Sequence, residues 1–212
     1  MIDLYTAPTP NGYKISICLE ELGLDYQAHP INLLEEQQKE DWFLAINPNG
    51  RIPAIIDHDQ DDLKLFESGA ILLYLAEKTG KLLPIEPKAR AQCIQWLIFQ
   101  VAGIGPMQGQ AQIFKFAAPE KIPYAIKRYV QETMRLYRVL DQQLFNQEYI
   151  CGSYSIADIA CWPWVRLHAK LGINLKDMPH LKAWIYRLND RPALQRGILV
   201  PQGREWPELE GS

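Results

Sequence analysis

The chain has 212 residues, enough for one large domain or two small ones. Hydrophobic residues make up 48% and charged residues 22%, an ordinary globular balance that excludes a disordered chain, and no apolar run reaches the ~18 residues of a membrane span. The net charge of −3 is uneven: residues 1–80 hold 5 Lys/Arg against 14 Asp/Glu, a balance of −9, and the remainder hold 17 against 11, a balance of +6.

That shift points to two domains of different composition. A moderately basic second half without a basic stripe gives no footprint for nucleic acid. The opening segment lacks the basic and apolar runs of a secretory leader, so a cytosolic location is expected. Cys18, Cys93, Cys151 and Cys161 are scattered with no C-x-x-C pair and read as buried small hydrophobes. His29, His58, His168 and His180 have no ligand spacing with them, so no metal is expected.

Residues 2–7 alternate apolar and polar and predict a strand, and Pro8, Pro10 and Gly12 then crowd a turn. The spacing of Ile15, Cys18, Leu19 and Leu22 from Lys14 predicts a helix ended by Gly23. Residues 26–33 predict a second strand, placed at an edge by Pro30, and 34–45 a loop or short helix. Asn47-Pro48-Asn49-Gly50 is a turn, with a strand expected over Arg51–Ile56. Asp57–Asp62 predicts an acidic hairpin tip rather than a calcium loop, since the glycine and terminal glutamate of an EF-hand are absent. Leu63–Phe66 is the return strand, and 67–78 a helix ending near Gly80.

The expected boundaries are 1–80 for this α/β domain, 81–87 for a linker, 88–200 for an all-helical domain and 201–212 for a polar tail. Long helices are predicted over 88–116 and 121–147, and shorter ones over 155–171, 179–189 and 192–199. Ser155-Ile156-Ala157-Asp158 has the capping-box spacing. Gly103, Gly105 and Gly109 have the wrong spacing for a dinucleotide fingerprint and predict close helix packing or a bend.

Three places could carry chemistry. The turn Thr9-Pro10-Asn11-Gly12 opens a helix, whose free N–H groups and dipole favour an anion such as a thiolate, with Thr9 or Asn11 adding a side-chain donor; a plain cap explains the same residues. A cis Ile52-Pro53 bond would leave the Ile52 backbone free to pair with a peptide-like ligand, whereas the commoner trans isomer makes it an ordinary edge proline. Glu67-Ser68-Gly69 at a helix start can hold the ammonium and carboxylate of an amino acid, or simply cap the helix.

Taken in order, these segments resemble the cytosolic glutathione transferases over roughly residues 1–200. The resemblance is carried by Asn47-Pro48-Asn49-Gly50-Arg51-Ile52-Pro53-Ala54-Ile55, by Leu65-Phe66-Glu67-Ser68-Gly69-Ala70-Ile71-Leu72-Leu73-Tyr74-Leu75, and by Tyr154-Ser155-Ile156-Ala157-Asp158-Ile159-Ala160. Thr9-Pro10-Asn11-Gly12-Tyr13-Lys14 and Pro123–Tyr129 look like the bacterial Nu class, whose members act as glutathione-dependent disulfide reductases.

The resemblance implies a thioredoxin-like α/β domain, an all-α domain, a homodimer, a cis Ile52-Pro53 bond and glutathione as co-substrate between the domains. It implies that Thr9 and Asn11 face the glutathione sulfur, that Ile52 beside Pro53 pairs with the cysteinyl backbone, and that Glu67 and Ser68 hold the γ-glutamyl end. Gln38 and Arg51 would serve the glycyl end, and Arg128 would reach the partner's ligand across the dimer. The Thr9–Asn11 turn has no cysteine, so the reactive sulfur would belong to the tripeptide. The second substrate would be a small disulfide. Conjugation to an electrophile, or a non-catalytic binding module of the same fold, are the alternatives.

Overall fold

The computed structural model describes residues 1–201; the expected polar tail beyond Pro201 lies outside the described residues. The chain divides into two compact units, one of Met1–Thr79 joined by the chain from Asp190 onward, the other of Gly80–Asn189.

The first unit is built on a four-stranded mixed sheet in the order β2-β1-β3-β4, with β1 Ile2–Thr6, β2 Tyr26–Pro30, β3 Ala54–Asp57 and β4 Leu63–Phe66. β1 runs parallel to β2 and antiparallel to β3, and β3 pairs antiparallel with β4. The parallel pair needs a crossover, which helix α1 (Pro10–Leu22) supplies. Pro30 ends the edge strand, where the missing N–H costs no ladder bond. Gly23 closes α1 in the left-handed conformation at φ 65°, donating to Leu19 O.

Alternation along the strands sorts the side chains by face. Tyr5, Ile56 and Phe66 pack with Ile31, Phe43 and Ile46, where the short helix α2 (Asp41–Leu44) contributes Phe43. Ile2, Leu4 and Ile55 alternate with them and are fully or nearly fully buried. Helix α3 (Ser68–Thr79) packs on α1.

Three strand expectations shorten. β1 stops at Thr6 and β2 at Pro30, and β3 starts only at Ala54, because Arg51–Pro53 are occupied by the turn that precedes it. The acidic tip contains a 3-10 turn at His58–Gln60, with Asp61 and Asp62 left-handed.

The second unit comprises α4 (Pro87–Phe99), α5 (Gly105–Gln112), α6 (Pro123–Gln143), α7 (Ile156–Val165) and α8 (Pro179–Asn189). The helix expected over 88–116 is broken by π-helical turns at Gln100–Ile104 and Ile113–Ala117. Gly105 and Gly109 face the Trp164 ring, and a Cβ on either would be in ordinary contact with it, at 3.8 and 3.5 Å. Gln108 completes the junction, donating to Trp164 O at 2.7 Å and accepting from the Tyr137 hydroxyl at 2.7 Å. The helix expected over 155–171 ends at Val165, followed by a 3-10 turn at His168–Leu171.

The capping box at the start of α7 is formed. Asp158 accepts from the Ile150 N–H (3.0 Å), the Trp184 indole (2.9 Å), the Ser155 N–H (3.0 Å) and the Ser155 hydroxyl (3.1 Å).

The helical segment at 192–199, assigned from the sequence to the all-helical domain, belongs instead to the first unit. As α9 (Pro192–Gly197) it lies along α1. Ser16 Oγ donates to Gly197 O at 2.7 Å, Arg191 makes a two-pronged contact with Glu21, and Arg196 pairs with Glu20. The approach is possible because residue 197 is glycine: a Cβ there would sit 2.7 Å from Ile17 Cα.

Candidate active site

Strand register gathers the loops that the sequence singled out. Tyr5 pairs with Ala54 and Ala54 with Phe66, so one row crosses β1, β3 and β4. The chain leaves β1 just beyond this row toward Thr9, enters β3 just before it through Ile52-Pro53, and leaves β4 just after it into Glu67-Ser68. Three separate motifs therefore emerge at one end of the sheet.

Thr9 occupies the N-cap of α1, with extended backbone (φ −131°, ψ 160°). Its hydroxyl oxygen accepts from the Gly12 N–H at 3.2 Å, and its carbonyl accepts from the Tyr13 N–H at 3.0 Å. The cap expectation is thus met, and it is compatible with donation, because a hydroxyl that accepts from Gly12 keeps its own proton for a neighbouring anion. Pro10 at N1 fixes the turn without forfeiting a helical donor. Asn11 follows at the second helical position and is half-buried. Gly12 is required by contact: a Cβ would lie 2.3 Å from Ala7 O and 2.4 Å from Thr6 Oγ1.

The turn before β3 is tied by buried Asn47, whose side-chain amide donates to Arg51 O at 2.5 Å and whose Oδ1 accepts from the Asn49 N–H at 2.9 Å. The Ile52-Pro53 bond is cis. Ile52 precedes the first β3 pair, so its N–H and C=O stand outside the ladder. Asn49 Nδ2 reaches Glu67 Oε1 at 3.4 Å, which ties the turn to the third motif.

Glu67 is left-handed at φ 69°, a conformation unusual for a residue with a Cβ. Its carbonyl accepts from the Ile71 N–H at 2.9 Å, opening α3, and its carboxylate is exposed. Backbone strain concentrates at functional positions. Ser68 is buried, and its Oγ accepts from Lys14 Nζ at 3.2 Å.

Gln38 lies in a 3-10 turn, Gln37–Lys39, that closes on the same loop: a Cβ on Gly50 would come within 3.0 Å of Gln38 O. Its Oε1 is buried with no hydrogen-bond partner in the protein, as expected of a group that serves a ligand. Arg51, which follows Gly50 in sequence, is exposed. Arg128 belongs to the other unit, exposed on α6.

Lys14 is the residue that sequence reading passed over. It is buried, and it places an ammonium beside the start of α3 in a unit whose net charge is strongly negative. The signal was present, because Lys14, Cys18 and Leu22 fall at i, i+4 and i+8 on the inward stripe of α1. Tyr5 packs within the first unit, stacked on His29 with centroids 4.8 Å apart and edge-on to Phe43. Burial raises its phenol. Cys18 is fully buried and burial pushes its thiol far up, so it supplies no thiolate.

Residues 1–77 match the family model described as glutathione S-transferase, N-terminal domain, and 108–192 match glutathione S-transferase, C-terminal domain. The chain is 53% identical over 207 residues to the disulfide-bond oxidoreductase YfcG of Escherichia coli (strain K12), covering 95% of this chain and 96% of that protein. Among solved structures, it is similar to a glutathione transferase from Burkholderia graminis with two glutathione molecules bound per subunit (TM-score 0.90, 45% identity, 94% of this chain and 88% of that one). A glutathione transferase from Pseudomonas putida with one glutathione disulfide bound per subunit is similar too (TM-score 0.89, 42% identity, 94% and 91% covered).

Proposed function

Because the chain belongs to the glutathione S-transferase family, we propose that it is an enzyme of the Nu-class type that binds glutathione and uses the glutathione thiolate to reduce small disulfides. The observation that carries this reading is the single row Tyr5–Ala54–Phe66, which delivers a cysteine-free helix start, a peptide-like backbone edge and an amino-acid cradle to one end of the sheet.

Each feature fits one part of the tripeptide. The free Ile52 N–H and C=O suit the cysteinyl backbone. The Glu67 carboxylate suits the γ-glutamyl ammonium, while Ser68 and the opening N–H groups of α3, with Lys14 behind them, suit its carboxylate. Gln38 and Arg51 suit the glycyl carboxylate. The cysteinyl sulfur then falls to Thr9, Asn11 and the start of α1. Donors and a helix dipole at that point favour the thiolate over the thiol, which raises the reactive fraction at neutral pH.

In the reaction, the bound thiolate attacks one sulfur of the substrate disulfide. A new S–S bond forms, the old one breaks, and the departing thiolate takes up a proton. A second glutathione thiolate attacks the mixed disulfide, leaving glutathione disulfide and a second reduced thiol. The relative's designation as a disulfide-bond oxidoreductase and the glutathione pair and glutathione disulfide in the similar structures support this chemistry. Cytoplasmic location and a homodimer in which Arg128 approaches the partner's ligand complete the proposal. Among the described residues no helix is long and apolar enough to cross a membrane.

Thr9→Ala and Asn11→Ala are expected to lower turnover of hydroxyethyl disulfide while glutathione still binds by calorimetry. Undiminished rates in both variants refute the assignment. Faster turnover of a chloronitrobenzene than of the disulfide in one preparation would replace it with conjugation, and binding without turnover of either would make the protein a non-catalytic module.

A further inference from the structure

The acidic tip between β3 and β4 is fastened to β1 through a histidine with a carboxylate at each of its ring nitrogens. Asp3 on β1 lies opposite Gln27 of β2 and Ile56 of β3, so His29 of β2 and His58, just past the end of β3, are its diagonal neighbours across the sheet. Both reach it. His29 Nε2 stands 3.0 Å from Asp3 Oδ1, and His58 Nε2 stands 3.0 Å from Asp3 Oδ2. The other ring nitrogen of His58, Nδ1, lies 2.5 Å from Oδ1 of Asp62, a left-handed residue at φ 55°. The His58 backbone N–H donates to Met1 O at 3.1 Å, and the Met1 ammonium pairs with Asp59 at 2.6 Å.

A neutral imidazole has one N–H and one lone pair, so it donates to one carboxylate and turns a lone pair toward the other. Only the imidazolium donates to both. The distances at Nε2 and Nδ1 therefore require a protonated ring, and removing the proton sets one of the two carboxylates against it. We propose that His58 is a proton-operated clasp: as imidazolium it ties the tip of residues 57–62 to β1, and loss of its proton releases the tip. The tip lies beside the row Ile2–Asp57–Leu63, at the end of the sheet away from Tyr5–Ala54–Phe66. The clasp therefore does not depend on how the first unit binds glutathione.

The charged groups around the ring fix the direction of the switch. Asp3 and Asp62 face it directly, and His29 sits on the far side of Asp3. On the tip, Asp59 takes the Met1 ammonium, Asp61 precedes Asp62, and buried Asp57 is engaged with Tyr74 and Lys78. Lys64 on β4 donates to Ala45 O at 3.2 Å. Burial would raise Asp3, but His29 and His58 together bring it below the ordinary carboxylate range, so it stays ionised while His58 titrates. Asp3 and Asp62 raise His58 above its ordinary 6.5. A group raised in the folded state gives its full stability below its unfolded value and loses it as pH climbs through the folded one. The clasp is thus closed in mild acid and opens on the alkaline side of 6.5. Because His58 and Asp62 are partly open to solvent, the opening is local rather than global.

The test takes two readouts from the intact protein between about pH 5 and pH 9: titration of the His58 ring by NMR, and hydrogen exchange of the amides of residues 57–62 corrected for the intrinsic rate. His58 should titrate above the ordinary imidazole value, and protection of its own amide, bonded to Met1 O, should fall over the same interval. Asp62→Asn, at an exposed position, should move the titration and the loss of protection together toward lower pH. His58→Gln should lack that step, and its profile gives the background set by the Met1 ammonium on Asp59. A wild-type His58 that titrates at or below the ordinary value overturns the proposal. So does tip protection that fails to follow the titration, or the same step persisting in His58→Gln.

Discussion

Replacing Asp158 by alanine strands three buried N–H donors, those of Ile150, Ser155 and the Trp184 indole. At roughly 2 kcal/mol for each buried donor left without a partner, the loss is about 6 kcal/mol. Removing a carboxylate whose burial raises it to about 6, from an ordinary 3.8, returns part of that. The difference corresponds to about 3 kcal/mol of penalty on the ionised form at pH 7. With the lost cap of α7 adding about 1 kcal/mol, the net cost is about 4 kcal/mol.

The same carboxyl gives a pH signature of definite sign. Its folded value lies above its unfolded one, so the folded protein binds more protons between them, and this group adds stability as pH falls. Between pH 7 and pH 5 the gain is about 1.4 kcal/mol. Urea unfolding followed by tryptophan fluorescence at both pH values measures both effects. A variant within about 1 kcal/mol of wild type at pH 7, or one with the same change between the two pH values, refutes the reasoning. Asp158→Asn is also expected to destabilise, because each carboxylate oxygen accepts two hydrogen bonds and an amide nitrogen would face two donors.

Gly197→Ala forces a Cβ against the Ile17 backbone and should cost the first unit about 2 kcal/mol, read as a lower thermal midpoint. Lys78→Met leaves fully buried Asp57 with only the Tyr74 hydroxyl and the Asp59 N–H, for a loss of about 3 kcal/mol in urea unfolding. Burial would raise the Asp57 carboxyl, but Lys78, Tyr74 and Asp59 together lower it. Its contribution is therefore present at neutral pH and lost in acid, opposite in sign to that of Asp158. Ser68→Ala should weaken glutathione binding about tenfold in calorimetry, the equivalent of about 1.4 kcal/mol. Lys14→Met should weaken it by a similar factor, whereas Thr9→Ala should act chiefly on turnover.

Local patterns were legible where neighbours in sequence settle the matter. Pro10, Gly23, Gly50 and the Ser155–Asp158 capping box mark turns and helix ends through backbone geometry that needs no distant partner. The α/β half, the helical half and the ordered motifs of the glutathione transferase family followed from those patterns, and with them the residues of the candidate site. Lys14 was legible in principle from its place on the buried stripe of α1.

What only the tertiary structure decided involves residues far apart along the chain. α9 joins the first unit because Gly197 lets it touch Ile17, and nothing periodic in residues 192–199 reports a partner some 180 positions earlier. The helix expected over 88–116 is interrupted by π-turns, and the segment between them is tied by Gln108 to Trp164 and Tyr137, residues distant in sequence. Periodicity encodes which side of a helix is apolar, but which other helix meets that side depends on complementary shape, and shape is a property of the assembled chain.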